Sequence, residues 1–121
     1  MHGDTTQHSE QDGTIFIHAG DPPDLCWSGR SKDAAVVRLT QLPGSTDALV
    51  LLDDMAVQSN LLRIDSGGNT IWAAEVPGDL STDNYVHFDW DGLRLTANSW
   101  SSCRVSIDVG NGRIIERVFT K

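Results

Sequence analysis

The chain has 121 residues, a formal net charge of -8 and an apolar fraction of 39%. This length suits one domain with its own core, and the composition excludes a wholly disordered chain. The acidity, with only nine scattered basic residues, argues against nucleic-acid binding, which needs clustered Lys and Arg. An acidic surface instead favours solubility, or it attracts a basic partner.

The first thirteen residues are polar and acidic, which predicts an N-terminal tail at residues 1–13 and a single all-β domain at residues 14–121. No apolar run is long enough to cross a bilayer, and the chain start lacks the pattern of a secretion signal. We therefore expect a cytoplasmic protein without membrane contact. Cys26 and Cys103 show no zinc-ligand spacing and are expected to be reduced core residues, so no metal or cofactor is predicted.

Short apolar runs separated by turn residues predict a succession of strands in the first half. Residues 14–18 alternate and read as a strand, and residues 19–33, rich in Pro, Gly and Asp, read as a loop. Residues 34–42 fit either a strand or a helix start capped at Ser31, and the adjacent valines favour a strand. Residues 47–54 form a continuous apolar run that is typical of a buried strand.

The second half requires no helix, because its apolar runs fall into pairs around Gly-containing turns. The predicted pairs are 60–65 with 70–76, 85–90 with 93–98, and 103–108 with 113–119. Asp91-Gly92, in the middle pair, is the strongest hairpin signal of the chain.

An internal repeat links the first and last of these pairs. A shift of 43 positions places LLRIDSGGNTIW over RVSIDVGNGRII, and the shared unit is a strand, an Asp-led Gly-rich turn and a second strand. The matched positions are Leu62 with Val105, Ile64 with Ile107, Asp65 with Asp108, Gly67 with Gly110, and Ile71 with Ile114.

These segments resemble the blade repeats of quinoprotein-type (PQQ-like) β-propellers, in which a strand ends in Asp, a Gly turn follows, and the next strand carries a docking Trp. Trp72 occupies the docking position in one repeat, and Ile115 replaces it in the other. The resemblance covers residues 47–119 and implies about two blade-like units, too few for a closed propeller, so the family's cofactor chemistry is not carried over. The chain end also resembles small uncharacterised bacterial proteins, which implies no function.

We therefore predict an all-β antiparallel meander of two propeller-blade-like units, arranged as a partial propeller, a sandwich or a partial barrel. Exposed edge strands and open blade faces would favour self-association, so a homodimer or a higher closed oligomer is expected.

The stretch YVHFDWDG contains the strongest candidate for chemistry, because His87 and Asp89 point the same way on a strand. A two-residue turn at Asp91-Gly92 would pair Asp89 with Arg94 and give the hairpin an apolar and a polar face. The apolar face would hold Val86, Phe88, Trp90, Leu93, Leu95 and Ala97. The polar face would be solvated and would give His87 no shielded pocket, which favours a surface over a catalytic site.

The polar face could still recognise another molecule, because Tyr, Trp and Arg are enriched in binding hot spots. The predicted binding face contains Tyr85, His87, Asp89, Arg94, Asn98, Trp100 and Arg104. A non-catalytic binding or protein-interaction module is therefore the first functional hypothesis. Two alternatives stay open: an antitoxin or immunity-type protein that neutralises a basic partner, and a small enzyme that uses His87 and Asp89.

Overall fold

The structure is a computed structural model, and it describes residues 6–20, 22–30, 34–53, 59–76, 84–100 and 103–119. These residues form eleven β-strands and no helix, so they contain no helix that could span a membrane. The strands are β1 (Thr6–Gln11), β2 (Thr14–Ala19), β3 (Asp24–Gly29), β4 (Val36–Gln41), β5 (Ala48–Leu52), β6 (Leu61–Ile64), β7 (Thr70–Ala73), β8 (Tyr85–Trp90), β9 (Leu95–Ser99), β10 (Cys103–Ile107) and β11 (Ile114–Phe119).

The strands make three antiparallel meanders, in which each strand pairs with the next one along the chain. The first sheet contains β1–β3, the second β4–β7 and the third β8–β11. The predicted all-β meander of blade-like units is confirmed, and the two four-stranded sheets are the two predicted units. A smaller three-stranded sheet precedes them.

Two segments of this first sheet were predicted as tail and loop. Strand β1 lies inside the predicted tail at residues 1–13, and β3 lies inside the predicted loop at residues 19–33. The backbone explains β1: Gln11 pairs with Thr14 across Asp12-Gly13, and both turn residues have positive φ, as a two-residue hairpin requires. The polar composition of β1 concealed this hairpin, because a polar edge strand lacks the apolar alternation of a core strand.

The second sheet lies between the other two and is buried on both faces. Strand β5 is buried at all five positions, which explains why it reads as an unbroken apolar run. Its alternate residues enter different clusters: Val50 packs towards the first sheet, with Ile15 and Ile17, while Leu49 packs towards the third, with Phe88.

Each sheet docks on the next through a tryptophan that lies over a glycine. The Trp27 ring of β3 covers Gly68 in the β6–β7 turn, and the Trp72 ring of β7 covers Gly112 in the β10–β11 turn. Trp72 also donates its indole N–H to the carbonyl of Val109 at 2.9 Å, and Arg63 donates to the same carbonyl at 2.8 Å. The docking role that the propeller resemblance implied for Trp72 is therefore present in the structure.

The third sheet has a glutamate where the first two sheets have the docking tryptophan. In the last strand of each sheet one exposed residue bulges out of register, and these residues are Cys26, Ile71 and Ile115. The residue after each bulge is Trp27, Trp72 and Glu116. The predicted match of Ile115 with Trp72 is therefore off by one position, because the β10–β11 turn is one residue longer than the β6–β7 turn.

The β8–β9 hairpin also differs from the predicted register. Trp90 pairs with Leu95, so the turn spans four residues instead of two, and Leu93 projects from it almost fully exposed. A bulge at Val86 exposes that residue and turns Tyr85 into the core. Of the six predicted core residues, Phe88, Leu95 and Ala97 are buried and Trp90 packs against the core, whereas Val86 and Leu93 were wrong.

Candidate functional site

The candidate site is the outer surface of the third sheet, facing away from the second sheet. A row here is a set of residues paired side by side on adjacent strands. One row of the second sheet contains Leu49, Arg63 and Trp72. The equivalent row of the third sheet contains Thr96, Ser106 and Glu116. In the neighbouring row, the second sheet has Leu51 and Leu61, and the third sheet has Asn98 and Arg104 at the equivalent positions. The apolar residues of these rows, Leu49, Leu51, Leu61 and Trp72, therefore all have polar equivalents in the third sheet. We call this surface the third-sheet face: His87, Asp89, Thr96, Asn98, Arg104, Ser106 and Glu116.

A chain of polar contacts crosses one side of this face. The Arg38 guanidinium of β4 lies 4.8 Å from the centre of the Phe88 ring and donates to Nδ1 of His87 at 3.3 Å. Because an arginine N–H can only donate, Nδ1 accepts, and the imidazole proton of the neutral ring is placed on Nε2. Nε2 then donates to the Asp89 carboxylate at 3.1 Å.

Arg104 organises the centre of the face. Its guanidinium donates to the Asn98 side-chain oxygen at 3.0 Å and to the Thr96 hydroxyl at 3.2 Å. Its Nη2 also lies 3.9 Å from the second carboxylate oxygen of Asp89. Neighbours on two strands, β8 and β9, thus orient Arg104.

Two shallow hollows lie on the face. The larger has a volume of about 470 Å³ and is lined by Asp89, Asp91, Arg94, Thr96, Arg104, Val105, Ser106 and Glu116. The smaller, of about 310 Å³, is lined by Leu93, Arg94, Leu95, Ser106, Ile107, Asp108, Val109, Ile115 and Glu116. Both volumes are near the lower end of the range of ligand pockets.

Aspartate side chains hold the β8–β9 turn beside the face and the β6–β7 turn of the second sheet. Asp91 accepts from the backbone N–H groups of Arg94 and Leu93, and these bonds hold the pKa of Asp91 below its ordinary value of 3.8. Asp65, in the β6–β7 turn, is subject to partial desolvation, which raises its pKa. Bonds from Asn69 and Gly67 outweigh that effect, so the pKa of Asp65 is also lowered.

Four of the predicted face residues, His87, Asp89, Asn98 and Arg104, lie together on the third-sheet face. Arg94 lies in the adjoining turn and lines both hollows, and Trp100 follows β9 with 61% of its side chain exposed. The assignment of Tyr85 to the face was wrong: it is buried by the Val86 bulge and donates its hydroxyl to the Glu75 carbonyl.

Sequence reasoning missed two contributors, Arg38 and Glu116. Arg38 comes from another sheet, and no local pattern places it beside His87. Glu116 was hidden by the extra residue in the β10–β11 turn. A repeat alignment that allowed one insertion would have paired Glu116 with Trp72.

The hydrogen bond between His87 and Asp89 is exposed to solvent. Their side chains are 47% and 53% exposed, so the protein does not shield them from water. Within the described ranges no group of three or more His, Cys, Asp or Glu residues has an arrangement that could hold a metal ion. The cysteines are both free, and Cys103 lies in the core as predicted. The prediction that Cys26 is a core residue was wrong, because Cys26 is the exposed, bulged residue of β3.

Blade-like sheets joined by tryptophan docking define the class of the protein as a partial β-propeller. In agreement, the fold resembles that of BamB from Moraxella catarrhalis, a PQQ-like β-propeller protein, with a TM-score of 0.59 and 10% sequence identity. The match covers 98% of this chain and only 38% of BamB, so it shows the fold alone.

The family follows from the sequence itself. Residues 32–119 match the family described as Domain of unknown function (DUF7957), and the chain belongs to that family. The match contains the second and third sheets and every residue of the third-sheet face. No curated protein matches the sequence.

Proposed function

We propose that this protein is a non-catalytic protein-interaction module and that the third-sheet face is its binding surface. One observation carries the proposal: apart from Arg63, the rows that pack the second sheet against the third consist of the apolar residues Leu49, Leu51, Leu61 and Trp72, and the same rows on the third-sheet face carry hydrogen-bonding side chains. Such a surface cannot make the dry sheet-on-sheet contact of the interior. It is suited instead to a hydrated, polar interface.

The arrangement of the face favours recognition over simple solvation. Arg104 is held by three neighbours, and His87 is fixed between Arg38 and Asp89, so these groups lose little conformational freedom on binding. Arg and Trp are the residue types that most often dominate binding energy, and Trp100 adds an exposed aromatic side chain.

The charge of the face bears on the kind of partner. The larger hollow combines three carboxylates with the guanidinium groups of Arg94 and Arg104, so it is far less acidic than the whole chain. A balanced surface favours a partner of mixed charge. The hypothesis of an antitoxin or immunity-type protein requires a basic partner and predicts a steep loss of binding with added salt, whereas the balanced face predicts a shallow one.

Site-specific photo-crosslinking in cells that express this protein tests the proposal. A benzophenone amino acid at position 100 should yield a discrete adduct with another protein, and the same probe at Ile71, exposed on the second sheet, is the matched control. Arg104→Ala, which removes the central donor, should reduce the adduct while circular dichroism stays unchanged. Equal adducts at both positions, or an adduct indifferent to Arg104, would count against this face as the binding surface.

A further inference from the structure

Two exposed aliphatic side chains line one hollow on the third sheet. Leu93 is 92% exposed, Ile115 is 68% exposed, and both line the smaller hollow. Single exposed apolar residues are ordinary on protein surfaces, and two that line one hollow form a small apolar patch.

The backbone holds both side chains outward. The carboxylate of Asp91 accepts from the N–H groups of Leu93 and Arg94 at 2.8 and 2.7 Å, which fixes the four-residue turn. Ile115 is the bulged residue of β11, between the pairs Ser106–Glu116 and Ile107–Ile114. Their exposure is therefore built into two separate pieces of backbone geometry.

Two opposite charges flank the aliphatic pair. Arg94 and Glu116 are exposed and line both hollows. Arg94 acts electrostatically on Asp91, yet among the residues that the structure describes neither the Arg94 guanidinium nor the Glu116 carboxylate forms a hydrogen bond or an ion pair. Each charge is therefore available to a group from outside the chain.

We propose that this patch, Leu93, Arg94, Ile115 and Glu116, binds the same patch of a second copy of the chain. In a twofold dimer, a contact from one residue to another occurs twice with the roles exchanged. Arg94 of each copy then pairs with Glu116 of the other, while Leu93 and Ile115 form an apolar centre at the axis. An apolar centre with a charged rim is the usual anatomy of a protein interface.

Charge complementarity favours a second copy of the chain as the partner. Two chains of net charge -8 repel each other over most of their surfaces. Asp91 and Asp108 lie beside the patch, but Arg94 and Glu116 can form two opposite-charge pairs with a second copy, and these pairs offset the repulsion at this point of the surface. This inference rests on the proposed function, since it gives one partner for one end of the same face.

Charge reversal tests the dimer. Analytical ultracentrifugation of the full chain over the micromolar range should show a reversible dimer. Arg94→Glu or Glu116→Arg alone should weaken it by about tenfold, because each change turns two attractive pairs into two repulsive ones. An equimolar mixture of the two single variants should associate as the native chain does, because every pair in the mixed dimer is again opposite in charge. The double variant Arg94→Glu/Glu116→Arg should also associate normally.

Two further variants separate the patch from general surface effects. Leu93→Asp should give a folded monomer, whereas Val37→Asp, at an exposed position on β4, should leave the dimer unchanged. A native chain that is monomeric at several hundred micromolar, or a mixture no stronger than either single variant, overturns the inference. A monomer that still crosslinks another protein through position 100 overturns the dimer alone. A dimer that gives no adduct with another protein overturns the proposed function instead.

Discussion

Replacing the glycines under the docking tryptophans should disrupt the contacts between sheets. Gly68 and Gly112 have φ of +79° and +78°, and an added Cβ would lie 2.5 Å from the Trp27 ring and 2.7 Å from the Trp72 ring. Gly44 provides a matched control, because its φ is +73° and nothing lies within 4 Å of an added Cβ. All three alanine variants therefore share the backbone strain, and two of them add a clash with a ring.

The expected costs follow from these two terms. Left-handed strain costs about 1–2 kcal/mol, of which roughly 0.4–1 kcal/mol is offset because alanine restricts the unfolded chain. Gly44→Ala should therefore lose about 1 kcal/mol. At Gly68 and Gly112 the ring must move, and overpacking of this kind costs about 1–3 kcal/mol more.

Urea unfolding followed by circular dichroism gives the free energy of unfolding of each variant. A double-mutant cycle identifies the cause: in a Trp72→Leu background, Gly112→Ala should cost no more than Gly44→Ala. If Gly112→Ala and Gly44→Ala lose equal stability in the native background, the tryptophan does not lie on this glycine and the docking argument fails.

Three other perturbations are expected to change stability. Trp72→Phe removes the hydrogen bond from the indole N–H to the Val109 carbonyl. It should lower the free energy of unfolding by about 1 kcal/mol more than Trp90→Phe, because the buried Trp90 indole N–H has no hydrogen-bond partner among the described residues. Asn60→Ala should lower the free energy of unfolding in urea by about 3 kcal/mol, because the buried amide donates to the Leu52 and Tyr85 carbonyls and accepts from the Tyr85 N–H. Asn98→Ala, on the third-sheet face, should lower it far less. The lowered pKa of Asp65 and Asp91 means that their contribution is complete well above pH 3.8 and is lost as the pH falls from 3.8 through the folded-state pKa. Urea midpoints at pH 5 and pH 3 should show this loss, and Asp65→Asn should reduce it; an unchanged pH dependence would contradict the assignment.

The strands of the second and third sheets could be predicted because the apolar pattern of each strand matches the burial of its side chains. The unbroken run in β5 indicates burial on both faces, and the β6–β7 and β10–β11 repeat rests on backbone turns that Asp65 and Asp108 hold by the same kind of bond. These features depend only on residues that are close together in the chain, so a single sequence is enough to recognise them.

Register and bulges could not be predicted in the same way. Lengthening the β8–β9 turn by two residues moves Leu93 and Arg94 into the turn but leaves the residues that remain paired on their predicted faces. The polar and apolar assignments of His87 and Phe88 therefore survived the error. The Val86 bulge adds one residue and reverses the faces beyond it, which is why Tyr85 was misplaced. Bulges depend on packing between sheets, and the pattern of a single hairpin does not contain that information.

The glutamate at position 116 connects the fold to the proposed function. A tryptophan at the equivalent position of the first two sheets needs a glycine of the next sheet beneath it, as Trp27 has Gly68 and Trp72 has Gly112. A tryptophan on the third-sheet face would be an exposed aromatic group among polar rows, whereas Glu116 keeps the face hydrated and supplies a charge. The same strand position thus serves internal docking in two sheets, and in the proposed function it serves outward recognition in the third. A Glu116→Trp variant should therefore remain folded, because position 116 is exposed, while losing the ion pair on which the proposed dimer depends.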